Sequence, residues 1–564
     1  MTSALRRAVF RSLTLLALGP VTSWGAAGLV AGNQVWSGLV RVEEDVLVPP
    51  GATLTVLPGT RVVFAPASGT KTEPWFWTPG TELTVAGRLV AEGTPGLPVV
   101  FEGEGPWGGI AVAPGGEAHL SRVRVAGPDE GLMCAGFCEL ADARIEGAEY
   151  GLVLAPGSRL AAARVTAVGC RVGLLDARTR GGAVEGVEVQ APRDAPLLTL
   201  PGPPRGVASV ELRTAGRPGV EYVGEHSVEA DEVWRGEVVV SGRVTVVPGA
   251  VLTLEAGTRV AFRKIDTNGD GLGESELLVL GGIRSLGAPG RPVVFESAEP
   301  SPQPGDWDKV SLISSEDPDN VFRHSVFRWG TQALHAHFSR FSAEECLFED
   351  NLRAVQFQES DGALLRECVF LRNKQALRFR DSRARVAESL FIGNFFGVHV
   401  FRGDVEFTDN TLEGSSLGGF LAKESRVVFQ RNRLAGNRDG VRMKDIGSWA
   451  LIRGNRFGSS AEDSLSLSHV EGSVEENRFE GAGLDLASVE ESPVVFRGNF
   501  FGATGRDALH LKGATGVDAR GNYWGAAAPA TRIHDREDSP ELGTASLEPA
   551  LPAPPQLALP PAEW

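Results

Sequence analysis

The residues best placed to do chemistry lie along one line of a repeated strand. Read at the third position of each copy, the line runs His335, Gln356, Arg378, His399, Phe420, Arg442, Ser466, Asp485 and His510. Just beyond it come Gln358, Arg380, Arg402, Lys423, Lys444 and Lys512. Between residues 372 and 444 there are 14 Lys or Arg against eight Asp or Glu, a local surplus of six in an acidic protein. A basic stripe of this kind suits an anionic polymer laid across or along the sheet. Arg378, Arg380, His399, Arg402, Lys423, Arg442 and Lys444 are the residues expected to bind it. The competing explanation is that outward sheet positions are polar in any case and that cationic side chains discourage aggregation. Lyase or epimerase chemistry on a uronate sugar would need a group that neutralises its carboxylate and a base at its α-carbon. Arg442, Lys444, Asp485, His510 and Lys512, near the C-terminal coils, are the candidates for those roles.

A second candidate is the loop KIDTNGDGLGESE that follows Phe262, where Asp266, Asn268 and Asp270 alternate and Gly271 follows. Alternating oxygen side chains converge on one hard cation while glycine lets the loop fold around it, which points to Ca²⁺ in a structural role. Position twelve is Leu277, which excludes a full EF-hand, although Glu274 or Glu276 would complete a smaller site. A solvated acidic turn is the alternative. No other cofactor is expected: the nine histidines are scattered, the methionines number three, and His335 with His337 makes a weak metal site.

These side chains need a scaffold, and from Arg323 to Gly525 one phrase recurs ten times with a period of 21 to 23 residues. Its copies begin at Ser325, Cys346, Cys368, Ser389, Thr411, Arg433, Arg456, Arg478, Phe500 and Tyr523. A period near 22 with short apolar alternations predicts a solenoid of β-strands in which each repeat buries its apolar face on the next. The middle residues, Val326, Leu347, Val369, Leu390, Leu412, Leu434, Phe457, Phe479, Phe501 and Trp524, are expected to form one interior column. A second strand (AVQF at Ala354, ALRF at Ala376, GVHV at Gly397, GVRM at Gly440) alternates apolar and polar, one face in and one out. A third supplies Phe407, Phe429, Ile452, Val474 and Phe496. Asn410, Asn432, Asn455, Asn477, Asn499 and Asn522 each directly precede a start motif. Asparagine tolerates the left-handed conformation and bonds its own turn, so one per coil predicts a stacked turn ladder.

On these repeats, and on the closing GNYWG at Gly521 followed by Ile533, Asp535 and Asp538, the chain resembles the right-handed parallel β-helix repeat proteins of the pectate-lyase-like superfamily, including copper-insertion accessory proteins of the NosD type. The resemblance implies an all-β right-handed parallel β-helix. It does not imply one activity, because the superfamily holds lyases, hydrolases, epimerases and inert scaffolds. The Asn-Thr-Asp, Asp-Asp and Gly-His-Gly set of polygalacturonases and the Asp-Pro-His motif of alginate epimerases do not occur here, and the coils carry no compact carboxylate cluster like the calcium site of pectate lyases.

Composition agrees with a solenoid. Seventy glycines and 35 prolines suit many tight turns, and a formal charge of −16 argues against a nucleic-acid binder. Residues 1–27 read as a secretory signal peptide, with arginines, a short apolar run and then small residues. No later stretch reads as a transmembrane helix. The five cysteines make no disulfide framework. Cys346 and Cys368 occupy the same place in consecutive coils, where a disulfide and a stack of small side chains both fit, and Cys134 and Cys138 are assigned no metal.

The stretch from Val35 to Phe64 recurs at Val233 to Phe262 with a constant offset of 198. Each copy leads toward a tryptophan, Trp107 or Trp307, before coils begin. Such a duplication predicts two β-helical units in tandem, 34–228 and 229–548, followed by a Pro-rich tail over 549–564. Trp75, Phe76 and Trp77, in the insertion of the first copy, are either an exposed platform for a sugar or packed against the solenoid. The expectation is a secreted protein, periplasmic, extracellular or on the cell surface. It would act as a non-catalytic scaffold or as a module binding an acidic polysaccharide or another cell-envelope component. The alternative is a carbohydrate-active lyase, epimerase or hydrolase working on the basic face.

Overall fold

The structure is a computed structural model that describes residues 25–67, 74–178, 184–200, 219–315, 320–481, 483–502, 506–525 and 529–560. Most of the expected signal peptide, together with Thr72, Glu73 and the last four residues, falls outside the described residues. Strands dominate, and the one helix among the described residues is a single turn at Pro529–Arg532.

Each coil in the middle of the chain contributes three short strands that pair in parallel with their counterparts one coil on. Leu347–Glu349 lies on Val369–Leu371, Arg353–Gln358 on Gln375–Arg380, and Asp361–Arg366 on Arg383–Ala387. Parallel in-register stacking at a roughly 4.8 Å rise makes a β-helix. Strands from Val220 to Ser546 form one continuous hydrogen-bonded set of 37. Strands between Gly25 and Thr199 form separate 12-stranded and 6-stranded sheets. Below, these are the second and first stacks. Each has its own apolar interior, one running from Val30 to Leu174 and the other from Val228 to Ala545.

The interior column of the second stack differs by one residue from the sequence expectation. Phe391 pairs with Leu412, and Leu390 pairs with Thr411. Phe327, Phe348, Phe370 and Phe391 therefore fill the interior, while Leu347, Val369 and Leu390 are only half-buried. Side chains alternate faces along a strand, so a frame shift of one moves every residue to the other face. The column then continues correctly through Leu412, Leu434, Phe457, Phe479, Phe501 and Trp524. Its rings stack at the coil spacing: 4.9 Å for Phe327 on Phe348, 4.5 Å for Phe370 on Phe391 and 4.8 Å for Phe479 on Phe501. Each such pair adds about 0.5–1.5 kcal/mol beyond its area burial.

The asparagines form a ladder, but not through their own backbone angles. The left-handed residue is the one before, at Asp409, Arg431, Gly454, Glu476, Gly498 and Gly521. The asparagine itself turns inward and is fully buried. The Asn432 N–H donates to Asn455 Oδ1 at 2.8 Å, and Asn432 Nδ2 donates to Phe407 O at 2.9 Å. The pattern repeats through Asn477 and Asn499 to Asn522. Cys346, Cys368 and Ser389 hold the same place in earlier coils, with the Ser389 N–H donating to Asn410 Oδ1 at 2.9 Å. A second ladder at another corner, Asn351, Asn373 and Asn394, and a third of Ser339, Ser360 and Ser382 were not anticipated.

Cys346 and Cys368 are free and buried, each thiol donating to a backbone carbonyl of the preceding coil at 3.3 Å. The disulfide joins Cys134 and Cys138 instead, whose Cα atoms lie 6.4 Å apart. The described part of the tail, 549–560, has no regular structure, yet the Leu551 N–H bonds Asn522 O at 2.9 Å and Ala558 lies beside Gly454.

Candidate functional site

The two stacks lie side by side along a seam. Trp77 meets Phe395 edge to face at 5.0 Å, and Lys374 Nζ donates to the carbonyls of Pro74 and Phe76 while lying 4.1 Å from the Trp77 ring centre. Trp77 is thus packed, not an exposed platform. Farther along, Arg438 pairs with Glu130 at 3.1 Å, Arg171 with Glu462 at 2.9 Å, and Arg506 with Asp194 at 3.8 Å. The residues advance through both stacks in the same order. Leu417 and Ala461 of the second stack share a buried apolar cluster with Trp77, Met133 and Val153 of the first.

Between the stacks the seam widens into a cavity of about 560 Å³. Its first-stack wall carries Trp77, Asp129, Glu130, Glu149, Tyr150, Arg171 and Asp194. Its second-stack wall carries Phe396, Arg438, Arg442, Glu462, Asp463, Ser466, Leu484, Arg506 and Lys512. The charges are held in place by one another. Arg442 donates to Asp439 at 2.7 Å, Lys512 Nζ lies 3.1 Å from Asp463, and Ser488 Oγ donates to Asp463 at 2.5 Å.

Burial and neighbouring charges shift the acids. The Glu462 carboxyl, 4% exposed, is pushed well above the usual carboxylate range by desolvation and by neighbouring Asp463. Burial likewise raises Glu130, against the opposing charge of Arg438. Burial also lifts Asp439, but Arg442, Arg438 and Arg171 outweigh it and hold that carboxyl below its ordinary value. Carboxyls of one seam are thus shifted in opposite directions, by burial on one side and by neighbouring arginines on the other.

An aspartate column borders the cavity. Asp439, Asp463, Asp485 and Asp507 stand one per coil, the main chain linking each to the next, and all but Asp507 are buried. Asp485 accepts from Arg506 at 2.9 and 3.2 Å and lies 2.8 Å from His510 Nδ1. Burial raises Asp485, but His510 and Arg506 outweigh it and leave the carboxyl lowered. Asp485, Asp507 and His510 bring ligand atoms within 4.8 Å of one another, the geometry of a metal site, with the His534 ring 4.8 Å from that of His510. Arg506 already serves as the cation there.

The strand register corrects the predicted line. It runs His335, Gln356, Arg378, His399, Leu421, Arg442, Ser466, Ser488 and His510. Phe420 is buried in the interior, and Asp485 belongs to the aspartate column three residues earlier. The outer line runs Gln358, Arg380, Phe401, Lys423 and Lys444, so Arg402 is not on it. Arg402 sits at a corner in the left-handed conformation, paired with Asp381 at 2.7 Å beside a shallow depression. The predicted cations are largely occupied: Arg380 lies 3.7 Å from Asp381, and Lys423 lies 3.2 Å from Glu424. Arg378 is half-buried, and desolvation lowers its pKa. Desolvation and Arg378 take His399 down to about 3. Of the five candidate catalytic residues, Arg442 and Lys512 line the cavity, Asp485 and His510 stand next to it, and Lys444 lies on the outer line away from its walls.

In the proposed calcium loop, Asp266 accepts the N–H groups of Gly269 and Gly271, and the side-chain oxygens of Asn268 and Asp270 accept those of Asp270 and Leu272. Glu274 takes the Thr267 hydroxyl at 2.6 Å. These bonds fold the loop from within, and a Cβ on Gly271 would meet Pro50 of the first stack at 2.7 Å.

Residues 353–523 match the family described as right handed beta helix region. No curated protein matches the chain. Among solved structures, the crystal structure of the periplasmic alginate epimerase AlgG is similar at 8% identity and a TM-score of 0.27, over 78% of this chain and 77% of that one. No helix among the described residues is long and apolar enough to cross a membrane. By its coils and by the family region at their centre, the chain is a right-handed parallel β-helix protein.

Proposed function

We propose that the protein binds a polysaccharide in the cavity between its two stacks, as a secreted or periplasmic component of the cell envelope. The observation that carries this reading is the cavity itself: two β-helical walls enclose about 560 Å³ with convergent donors, acceptors and aromatic rings. Sugar hydroxyls need such a mixture of groups. Retention of the full chain on a panel of immobilised polysaccharides tests the reading. Binding that is lost in Ser466→Trp, which fills the cavity from the outer face of a strand, supports it. Unchanged retention in that variant, or no retention on any polymer, refutes it.

A second reading is favoured by Glu462 and Asp463, adjacent acids with opposed environments in a walled cavity. A carboxyl whose pKa burial raises, beside one held by a lysine, is suited to passing a proton to a glycosidic oxygen, so the bound polymer would also be cut. Newly formed reducing or unsaturated ends, absent in Glu462→Ala, would establish it.

A further inference from the structure

We infer that the cavity selects a neutral, hydroxyl-rich saccharide over a uronate or otherwise anionic one. This rests on the polysaccharide reading above and narrows it. A polyanion requires cations free to neutralise it, and every cation of the cavity has a carboxylate partner. Arg171 is spent on Glu462 and Glu149, both at 2.9 Å, and Arg438 on Glu130. Arg442 is spent on Asp439, Arg506 on Asp485, and Lys512 on Asp463. The walls hold six carboxylates, at Asp129, Glu130, Glu149, Asp194, Glu462 and Asp463, against five cations, so 5 − 6 leaves one formal negative charge. An incoming carboxylate would displace an existing pair and leave a buried acid uncompensated, a loss comparable to its gain.

What the walls do leave open is hydrogen-bonding capacity. Glu462 Oε1, Glu130 Oε2 and Arg438 Nε are buried without a protein hydrogen-bond partner, and Glu462 is 4% exposed. Glu462 Oε1 and Arg438 Nε lie 3.7 Å apart, too far to bond each other. A hydroxyl is both donor and acceptor, so one sugar hydroxyl placed between them satisfies both. A carboxylate has acceptors only, so it could take the Arg438 N–H but has nothing to donate to Glu462 Oε1 or Glu130 Oε2. The Phe396 and Trp77 rings supply an apolar wall beside these groups. The stacking face comes from Phe396, because Tyr150 already has Arg171 and Arg438 over its ring at 4.9 and 4.6 Å and Trp77 has Lys374 at 4.1 Å.

The test is calorimetric titration of the full chain with neutral oligosaccharides (gluco-, manno- and xylo-oligomers) and with oligouronates, each at low and at raised salt. The expected result is binding of a neutral oligomer with little salt dependence. Glu462→Ala should weaken it about tenfold, as loss of a hydrogen bond to a buried polar group does, and Ser466→Trp should abolish it. Glu462→Gln, which keeps an acceptor and the side-chain shape, should retain most of it. Salt-sensitive binding of oligouronates alone would overturn this inference and leave the polysaccharide reading standing. Binding of none would sink both. Neutral binding that survives Glu462→Ala and Ser466→Trp in folded protein would overturn the assignment to this cavity.

Discussion

Replacing Asn455 with alanine separates two explanations of the asparagine ladder. Asn455 is fully buried; its Nδ2 donates to Phe429 O and to Asn477 Oδ1, both at 2.9 Å. Its Oδ1 accepts from the Asn432 N–H at 2.8 Å and from Asn432 Nδ2 at 3.1 Å. Alanine removes all four bonds. Asn477 Oδ1 keeps the Asn455 N–H, and Asn432 Nδ2 keeps Phe407 O. One main-chain group is left bare, the Asn432 N–H, because the Phe429 carbonyl keeps its place in the strand ladder opposite Ile452 and Arg453. No neighbour can turn to it, because each asparagine already serves the coil on either side. At about 1–3 kcal/mol for an orphaned buried group, the loss is ~2 kcal/mol. A solenoid opens coil by coil, so one global unfolding transition need not report the change. Amide hydrogen exchange does: the amides of 429–432 and 477–479 should exchange about 30-fold faster, while those near Val240 are unaffected. Asn455→Gly should cost at least as much, because the left-handed residue is Gly454. A loss under ~1 kcal/mol for alanine, or a harmless glycine, would refute the reasoning.

Phe348→Ala, in the middle of the ring column, should cost about 3–5 kcal/mol and shift the urea midpoint of the surrounding coils; a cost below ~1 kcal/mol would place the ring outside the core. His399 has a folded-state pKa of about 3 against an unfolded value near 6.5, so the stability it supplies is complete above that value and is lost as the pH falls toward 3. Between pH 7 and pH 4 that is at most ~3 kcal/mol, and His399→Gln should flatten this part of the stability curve. Denatured protein should titrate three thiols, and reducing Cys134–Cys138 should cost no more than ~2 kcal/mol because the loop it closes is so short. Five thiols would contradict the pairing.

The β-helix was legible because its period is repeated many times, so errors in single copies average out. What failed was the frame within a copy. SVF, CLF, CVF and SLF look like the later TLE and RLA, but Ser389 stands where Asn410 does, and only main-chain pairing reveals the slip. Asp485 was misplaced for the same reason: its coil carries a longer turn before the strand, so GLDL was aligned with the strand that is really Ala487–Glu490. The RD, ED, LD and RD pairs at Arg438, Glu462, Leu484 and Arg506 were a visible signal of the aspartate column. The cavity was not legible at all. Its walls join residues some 300 positions apart, as with Arg438 and Glu130, and no local periodicity encodes a sideways contact between stacks.

The shared rise of the two stacks has a consequence for how such a protein can lengthen. Along the seam, Glu130, Tyr150, Val172 and Ala195 advance one rung at a time on one side, as do Leu417, Arg438, Glu462 and Leu484 on the other. Two racks of equal pitch stay in mesh only if neither gains or loses a tooth. Deleting one coil of about 22 residues inside 374–506 would slide every later charge one rung past its partner and set acid against acid. Whole-coil insertions and deletions are therefore confined to coils beyond the last contact, after Arg506; one within 321–351 would fall between the Gly271–Pro50 contact and Lys374 and slide the whole seam, so up to Arg506 the stacks can change length only in step.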